Sequence, residues 1–92
     1  MATENITVTG TWSVAHTATA NNTNVVLTPA GPDVEWVINT TAPSATLTGH
    51  QLSEPLTGSP NRFKDRGFVL ANGEGLYIRG PRGVVVSRTI AD

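Results

Sequence analysis

The chain contains no cysteine, which excludes disulfide bonds and thiolate zinc sites among its 92 residues. Charged residues make up only 14% of the chain and the formal net charge is −1, which argues against electrostatic binding to nucleic acid or to an anionic membrane. No apolar run approaches the ~20 residues that span a bilayer. The opening residues MATENITVTG lack the basic and apolar regions of a signal peptide. We therefore expect a protein that is made in the cytoplasm and stays there, or leaves within a larger particle.

What the chain does contain is β-branched and turn-forming residues. Threonine is the commonest residue and valine follows, while nine glycines and six prolines divide the sequence into short pieces. This composition is typical of an all-β domain. We predict a single domain, residues 1–92, built as a small antiparallel β-sandwich or jelly-roll-like barrel of seven to eight short strands. Small domains without disulfides or metals often gain stability by oligomerising.

Alternation of apolar and polar residues predicts the strands and their inward faces. The predicted strands are Ile6–Val8, Trp12–His16, Asn24–Thr28, Asp33–Thr40, Ala45–Thr48, Phe68–Leu70, Leu76–Arg79 and Val84–Ile90. In one tryptophan strand Trp12, Val14 and His16 share a face, and Trp12 and Val14 are assigned to the core. In the other strand Val34, Trp36 and Ile38 are assigned to the core. Core packing is therefore the preferred interpretation of both tryptophans.

The segment FVLANGEGLYIRGPRGVVVSRT, residues 68–89, alternates on both sides of a GPRG turn. This pattern predicts an antiparallel hairpin, and the ANGEG turn before it extends the hairpin to a three-stranded meander over residues 68–90. Arg88 continues the inward parity of Val84 and Val86, so we expect a bulge there or a strand that runs past the core. Residues 1–5 are predicted to be a flexible arm and residues 49–66 a long loop.

Apolar residues on the outward parity predict a subunit interface. Val26, Val37, Tyr77 and Val85 all lie opposite the residues assigned to the core, where a solvated sheet face would carry Thr, Ser, Lys or Glu. The alternative is that loops cover both faces of these short strands.

Basic residues form a second candidate site, for contact with the particle or another acidic partner surface, a phosphate or a glycan carboxylate. They are Arg62, Lys64 and Arg66 in NRFKDR, together with Arg79 and Arg82 in the predicted hairpin. An extended segment places Arg62, Lys64 and Arg66 on one side. The alternative is a solubilising loop whose charge is offset by Glu54, Asp65 and Glu74.

The sequence offers little for catalysis or for a cofactor. His16 and His50 are the two histidines, and neither has the spacing to Asp33, Glu35 or Glu54 that a metal site demands. A nucleophile elbow and a recognisable pair of catalytic carboxylates are both missing. We therefore predict a protein that is not an enzyme and binds no cofactor or metal.

The second half of the chain resembles a known group of proteins. The segments APSATLTGHQL and FVLANGEGLYIRGPRGVVVSR look like the closing half of small β-sandwich virion proteins from tailed bacteriophages. The residues that match their hairpin pattern are Leu70, Gly73, Glu74, Leu76, Tyr77, Arg79 and Gly80, and the resemblance covers residues 43–90. It implies a capsid decoration protein or a piece of a head or tail fibre, which usually acts as a trimer or another symmetric oligomer without enzymatic residues.

Together these observations predict a structural virion protein. We expect it to decorate the capsid, assemble in the host cytoplasm, pair with itself, preferably as a trimer, and bind the major capsid protein or another virion protein, with no nucleic acid or membrane partner. The alternative is a carbohydrate-binding or receptor-contacting module of a phage fibre, which needs exposed aromatic residues. A small enzyme on a cupin-like barrel is a third hypothesis and needs a histidine in a pocket with carboxylates.

Overall fold

The described part of the chain contains ten β-strands. The computed structural model describes the backbone of residues 2–56 and 59–91 and the side chains of residues 3–54 and 62–90. The strands are β1 (Ala2–Thr7), β2 (Ser13–Thr17), β3 (Thr23–Pro29), β4 (Glu35–Asn39), β5 (His50–Gln51), β6 (Pro55–Leu56), β7 (Ser59–Phe63), β8 (Arg66–Leu70), β9 (Gly75–Arg79) and β10 (Val85–Ala91). No helix occurs among these residues, so the all-β prediction is confirmed.

Eight of these strands form two four-stranded antiparallel sheets. The first sheet has the order β1-β10-β3-β8 and the second has the order β2-β9-β4-β5, while β6 and β7 form a separate two-stranded hairpin. The pairing is nested, because β1 pairs with β10, β2 with β9, β3 with β8 and β4 with β5. Two such interleaved sheets are the arrangement of a jelly roll.

The predicted meander over residues 68–90 is wrong. β8 and β10 lie in the first sheet and β9 lies in the second, so the turn after Arg79 crosses between sheets instead of closing a hairpin. This turn is closed by the Val84 amide, which donates to the Pro81 carbonyl, and Gly83 adopts a φ of 96° within it. The inward faces of β9 and β10 therefore meet across the core. This arrangement and a hairpin both bury alternate residues of each strand, so the sequence pattern is compatible with either.

Three other local predictions are also wrong. Residues 2–5 are not an arm, because β1 pairs along its length with β10 at the edge of the first sheet; residue 1 lies outside the described residues. Residues 49–66 are not one loop, because they contain β5, β6 and β7; residues 57 and 58 lie outside the described residues. Residues 45–48 are not a strand, since the chain turns there and the Leu47 amide donates to the Ser44 carbonyl.

The core lies between the two sheets and is formed by aliphatic residues. Its fully buried large side chains are Leu27, Leu52, Leu70, Leu76, Ile78, Val8, Val25, Val34 and Val86. Trp36 and Ile38 pack against this cluster, as alternation predicts. Trp36 also contacts Phe68 of the opposite sheet edge-on, with ring centroids 4.7 Å apart.

Strand β2 departs from the predicted parity. Its register with β9 steps from Val14–Tyr77 to His16–Leu76, so Ala15 is the extra residue of a β-bulge. Ala15 is buried, whereas Val14 is 51% exposed. The assignment of Trp12 and Val14 to the core is therefore wrong: both lie on the outward parity of the second sheet.

Arg88 needs no bulge of its own. Its register with β1 and β3 is continuous, so strict alternation does direct it between the sheets. There its guanidinium donates to the Ala15 carbonyl, at the bulge of β2, and pairs with Glu4 of β1. The bulge predicted in β10 before Ile90 is therefore wrong.

Candidate functional site

The four apolar interface candidates fall on opposite sides of the sandwich. Val26 and Val85 lie on the outer face of the first sheet, whereas Val37 and Tyr77 are direct neighbours on the outer face of the second. All four are half-buried. The two pairs point away from each other, so a closed dimer with one interface can use only one of them. If both pairs formed interfaces, successive subunits would add to one another in an open stack.

The outer face of the first sheet carries no charged side chain at any of its described positions. These positions are Thr3, Asn5 and Thr7 on β1, Val85, Ser87 and Thr89 on β10, Asn24, Val26 and Thr28 on β3, and Gly67 and Val69 on β8. Val69 is 61% exposed, and the Thr3 and Thr89 hydroxyls lie 3.0 Å apart. The face instead carries hydroxyl and amide side chains around Val26, Val85 and Val69, so it could lie against another uncharged surface without burying an ion.

The outer face of the second sheet carries an apolar row and a charged pair. Val14, Tyr77 and Val37 follow one another across β2, β9 and β4. The Tyr77 side chain runs along β9 over Gly75, where an added Cβ would come within 2.8 Å of the ring. In a neighbouring row Arg79 pairs with Glu35 at 3.4 Å.

Arg79 is committed to contacts within the chain. Its guanidinium donates to the carbonyls of Ala45 and Leu47 at 2.9 Å each and lies 4.4 Å from the centroid of the Trp12 ring. These contacts, with the hydrogen bond from the Gly49 amide to Glu35, fasten residues 40–49 against the second sheet. Arg79 therefore stabilises a loop, and Trp12 is covered rather than displayed.

Arg66 is separated from its basic neighbours in the sequence. It projects on the inward parity at the edge strand β8, where its guanidinium lies over Trp36 at 5.1 Å and approaches Glu54 at 4.0 Å. His50 packs on the same tryptophan, with its ring centroid 4.6 Å from that of Trp36. This cluster covers the side of the sandwich between β8 and β5.

Arg62 and Lys64 line an open cleft of about 660 Å³ between the end of β3 and β7. The other residues of the cleft are Thr28, Pro29, Ala30, Phe63 and Asp65. The Thr28 hydroxyl donates to the Asp65 carboxylate at 2.8 Å. Arg82 lies exposed in the turn between β9 and β10. The structure therefore divides the five predicted contact residues among four places and brings only Arg62 and Lys64 together.

The histidines and acids do not assemble into a metal centre within the part of the chain that the structure describes. His16 lies on β2 and His50 on β5, at opposite edges of the second sheet. In the described ranges we also find no helix of the length and apolarity needed to cross a membrane.

No family model matches the chain, and searches of curated proteins and of solved structures returned no match. The candidate surfaces are therefore interpreted from their own residues. The sequence predicts that Arg62 and Lys64 lie on one side of an extended segment, which is part of the cleft. It does not predict the contact of Trp12 with Arg79, because that contact depends on which strands become neighbours.

Proposed function

We propose that this chain is a structural virion protein, a capsid decoration protein of a tailed bacteriophage that associates with itself and binds the particle surface. The observation that carries the proposal is the uncharged outer face of the first sheet. Jelly-roll sandwiches serve both viral structural proteins and lectins, so the fold is compatible with this function without specifying it.

The first sheet is the better candidate for self-association than the second. Residues 40–49 are fastened against the second sheet, and the Glu35–Arg79 pair places charge on that face. The first sheet has no charge at its described outward positions. Short Thr and Val side chains on both partners can interdigitate without leaving an ionised group unpaired.

The size of this face indicates weak association in dilute solution. Four strands spaced by about 4.8 Å and about six residues long cover roughly 390 Å² in projection. A stable interface usually buries about 800 Å² on each partner. Many such contacts on a lattice would add through avidity, which fits a protein that covers a particle.

Light scattering over a dilution series tests the proposal. We expect the wild-type mass to rise with concentration, and Val26→Glu to remain monomeric because it places a charge at the centre of the first sheet's outer face. The matched control is Val37→Glu on the second sheet, which should behave as wild type. A wild-type protein that is monomeric throughout contradicts the self-association, and a loss caused by Val37→Glu but not by Val26→Glu contradicts the choice of face.

A further inference from the structure

The open cleft that contains Arg62 and Lys64 adjoins the outer face of the first sheet, with which it shares Thr28. It lies at the end of β3, is lined by residues of β3 and of the segment 62–65, and has a volume of about 660 Å³. Protein sites for small ligands have volumes of about 300–1,000 Å³. The cleft is therefore large enough to hold a few residues of another chain.

The charges of the cleft favour an anionic occupant. Arg62 and Lys64 are exposed, and neither takes part in an ion pair among the described side chains. The one acid of the cleft, Asp65, accepts a hydrogen bond from Thr28. Two cations thus face one carboxylate that already has a partner, and the local balance is positive.

The backbone beside the cleft favours an extended peptide. β8 pairs with β3 from Thr23 to Leu27, but β3 continues to Pro29 with only β10 beside it. Asp65, which precedes β8, accepts a hydrogen bond from Thr28, so the position of β3 without a strand neighbour on its β8 side, within the described residues, is Pro29. An extended segment can add to such an edge, and because Pro29 has no N–H, the incoming chain must supply the donors there.

We propose that the cleft binds an extended acidic segment of a partner protein, with alternate carboxylates paired to Arg62 and Lys64. These two residues are separated by two positions, about 6.7 Å along an extended chain. Carboxylates on alternate residues of an extended peptide have the same repeat. The proposal rests on the proposed function in that the partner would be another virion protein, but it does not require self-association through the first sheet.

The probe is the fluorescein-labelled octapeptide Ser-Glu-Ser-Glu-Ser-Glu-Ser-Glu, and fluorescence anisotropy at low salt measures its binding. The control peptide, Glu-Glu-Ser-Ser-Glu-Glu-Ser-Ser, has the same composition but no two glutamates two residues apart. We expect the alternating peptide to bind more tightly and to be weakened about tenfold or more by Arg62→Gln combined with Lys64→Gln. Arg82→Gln, which removes an exposed cation outside the cleft, should change binding by less than about twofold.

Three results would overturn this assignment. Equal binding of the two peptides would refute the alternate spacing, and unchanged binding by the Arg62→Gln, Lys64→Gln variant would refute the site. In a competition experiment, tetragalacturonate and unlabelled peptide would each displace the labelled peptide. If tetragalacturonate did so at the lower concentration, the cleft would be assigned to a carboxylated glycan. Peptide binding by Val26→Glu at wild-type strength would support a site separate from the self-association face. If the protein binds the peptide but stays monomeric in light scattering, the result counts against the proposed function. If it self-associates but does not bind the peptide, the result counts against this site alone.

Discussion

At the scale of single residues, the contacts around Trp12 explain why a small side chain is needed in the 40–49 segment. Gly49 lies against the edge of the Trp12 ring and beside the Trp36 carbonyl. The Arg79 guanidinium lies 4.4 Å from the centroid of the Trp12 ring. The tryptophan therefore contacts both a cation and a glycine, and both contacts attach the loop.

The substitution Gly49→Ala tests this arrangement. An added Cβ would lie 2.5 Å from Cη2 of Trp12 and 2.9 Å from the Trp36 carbonyl oxygen, and a backbone oxygen cannot move aside as a side chain can. We expect the free energy of unfolding to fall by about 1–3 kcal/mol, measured by urea denaturation.

Gly67→Ala is the matched control for this substitution. Nothing lies within 4 Å of the position that its Cβ would occupy. We expect no loss of stability, or a gain of about 0.4–1 kcal/mol from the reduced freedom of the unfolded chain. Equal destabilisation by the two substitutions would contradict the packing of Trp12 on Gly49.

At the scale of the strands, each edge of the two sheets carries a feature that discourages pairing with another chain. β1 has Glu4 and β8 has Arg66 on the inward parity, β2 has the bulge at Ala15, and β5 is only two residues long. Inward charges, bulges and short strands are recognised means of protecting edges from aggregation. Self-association is therefore more compatible with a sheet face than with an edge.

Arg88 links the two sheets, and its contacts can be separated by mutation. Its guanidinium donates to the Ala15 carbonyl of β2 and pairs with Glu4, whose side chain is 65% exposed while that of Arg88 is 18% exposed. We expect Arg88→Met to lower the free energy of unfolding by about 1.5–3 kcal/mol, because the carbonyl at the bulge loses a charged donor.

Glu4→Gln removes only the exposed ion pair and should cost less than about 1 kcal/mol. Thermal and urea unfolding of both variants would give the comparison. If Glu4→Gln destabilised the protein as much as Arg88→Met, the ion pair rather than the carbonyl contact would be the main contribution of Arg88.

The same scale shows what the sequence could and could not predict. Alternation correctly placed Val34, Trp36 and Ile38 inward and Tyr77 and Val37 outward, because it reports which face of a strand is buried. It carries no information on the neighbouring strand, so β9 and β10 were predicted as a hairpin although they lie in different sheets. The extra residue Ala15 then reversed the expected parity of Val14, and single-strand patterns do not reveal a bulge.

The candidate surfaces were predictable to the same extent. The outward parity of Val26 and Val85 follows from their own strands. Their separation from Val37 and Tyr77 follows only from the assignment of strands to sheets. Arg79 was predicted to contact a particle, but its guanidinium binds residues 45 and 47 of its own chain, a contact between segments that no local pattern connects.

At the scale of the whole molecule, the nested topology determines how the chain can fold. The pairing of β1 with β10 joins Ala2 to Ile90. Every other strand pairing except those of β4 with β5 and of β6 with β7 also links distant segments. Each long-range pairing requires loop closure before its contacts can contribute. A chain with so few local pairings should fold slowly for its size.

We therefore expect refolding from urea on the millisecond-to-second timescale, measured by stopped-flow tryptophan fluorescence. A Trp12→Phe variant keeps Trp36 as its only tryptophan. Because Trp36 contacts Phe68 of the opposite sheet, its fluorescence reports closure of the sandwich. Trp12 contacts Arg79 and Gly49, so a Trp36→Phe variant reports attachment of the 40–49 segment. Since that segment can attach only after β4 and β9 are paired, its signal should not precede closure. Refolding complete within the mixing dead time, or a Trp12 signal that develops first, would contradict this order.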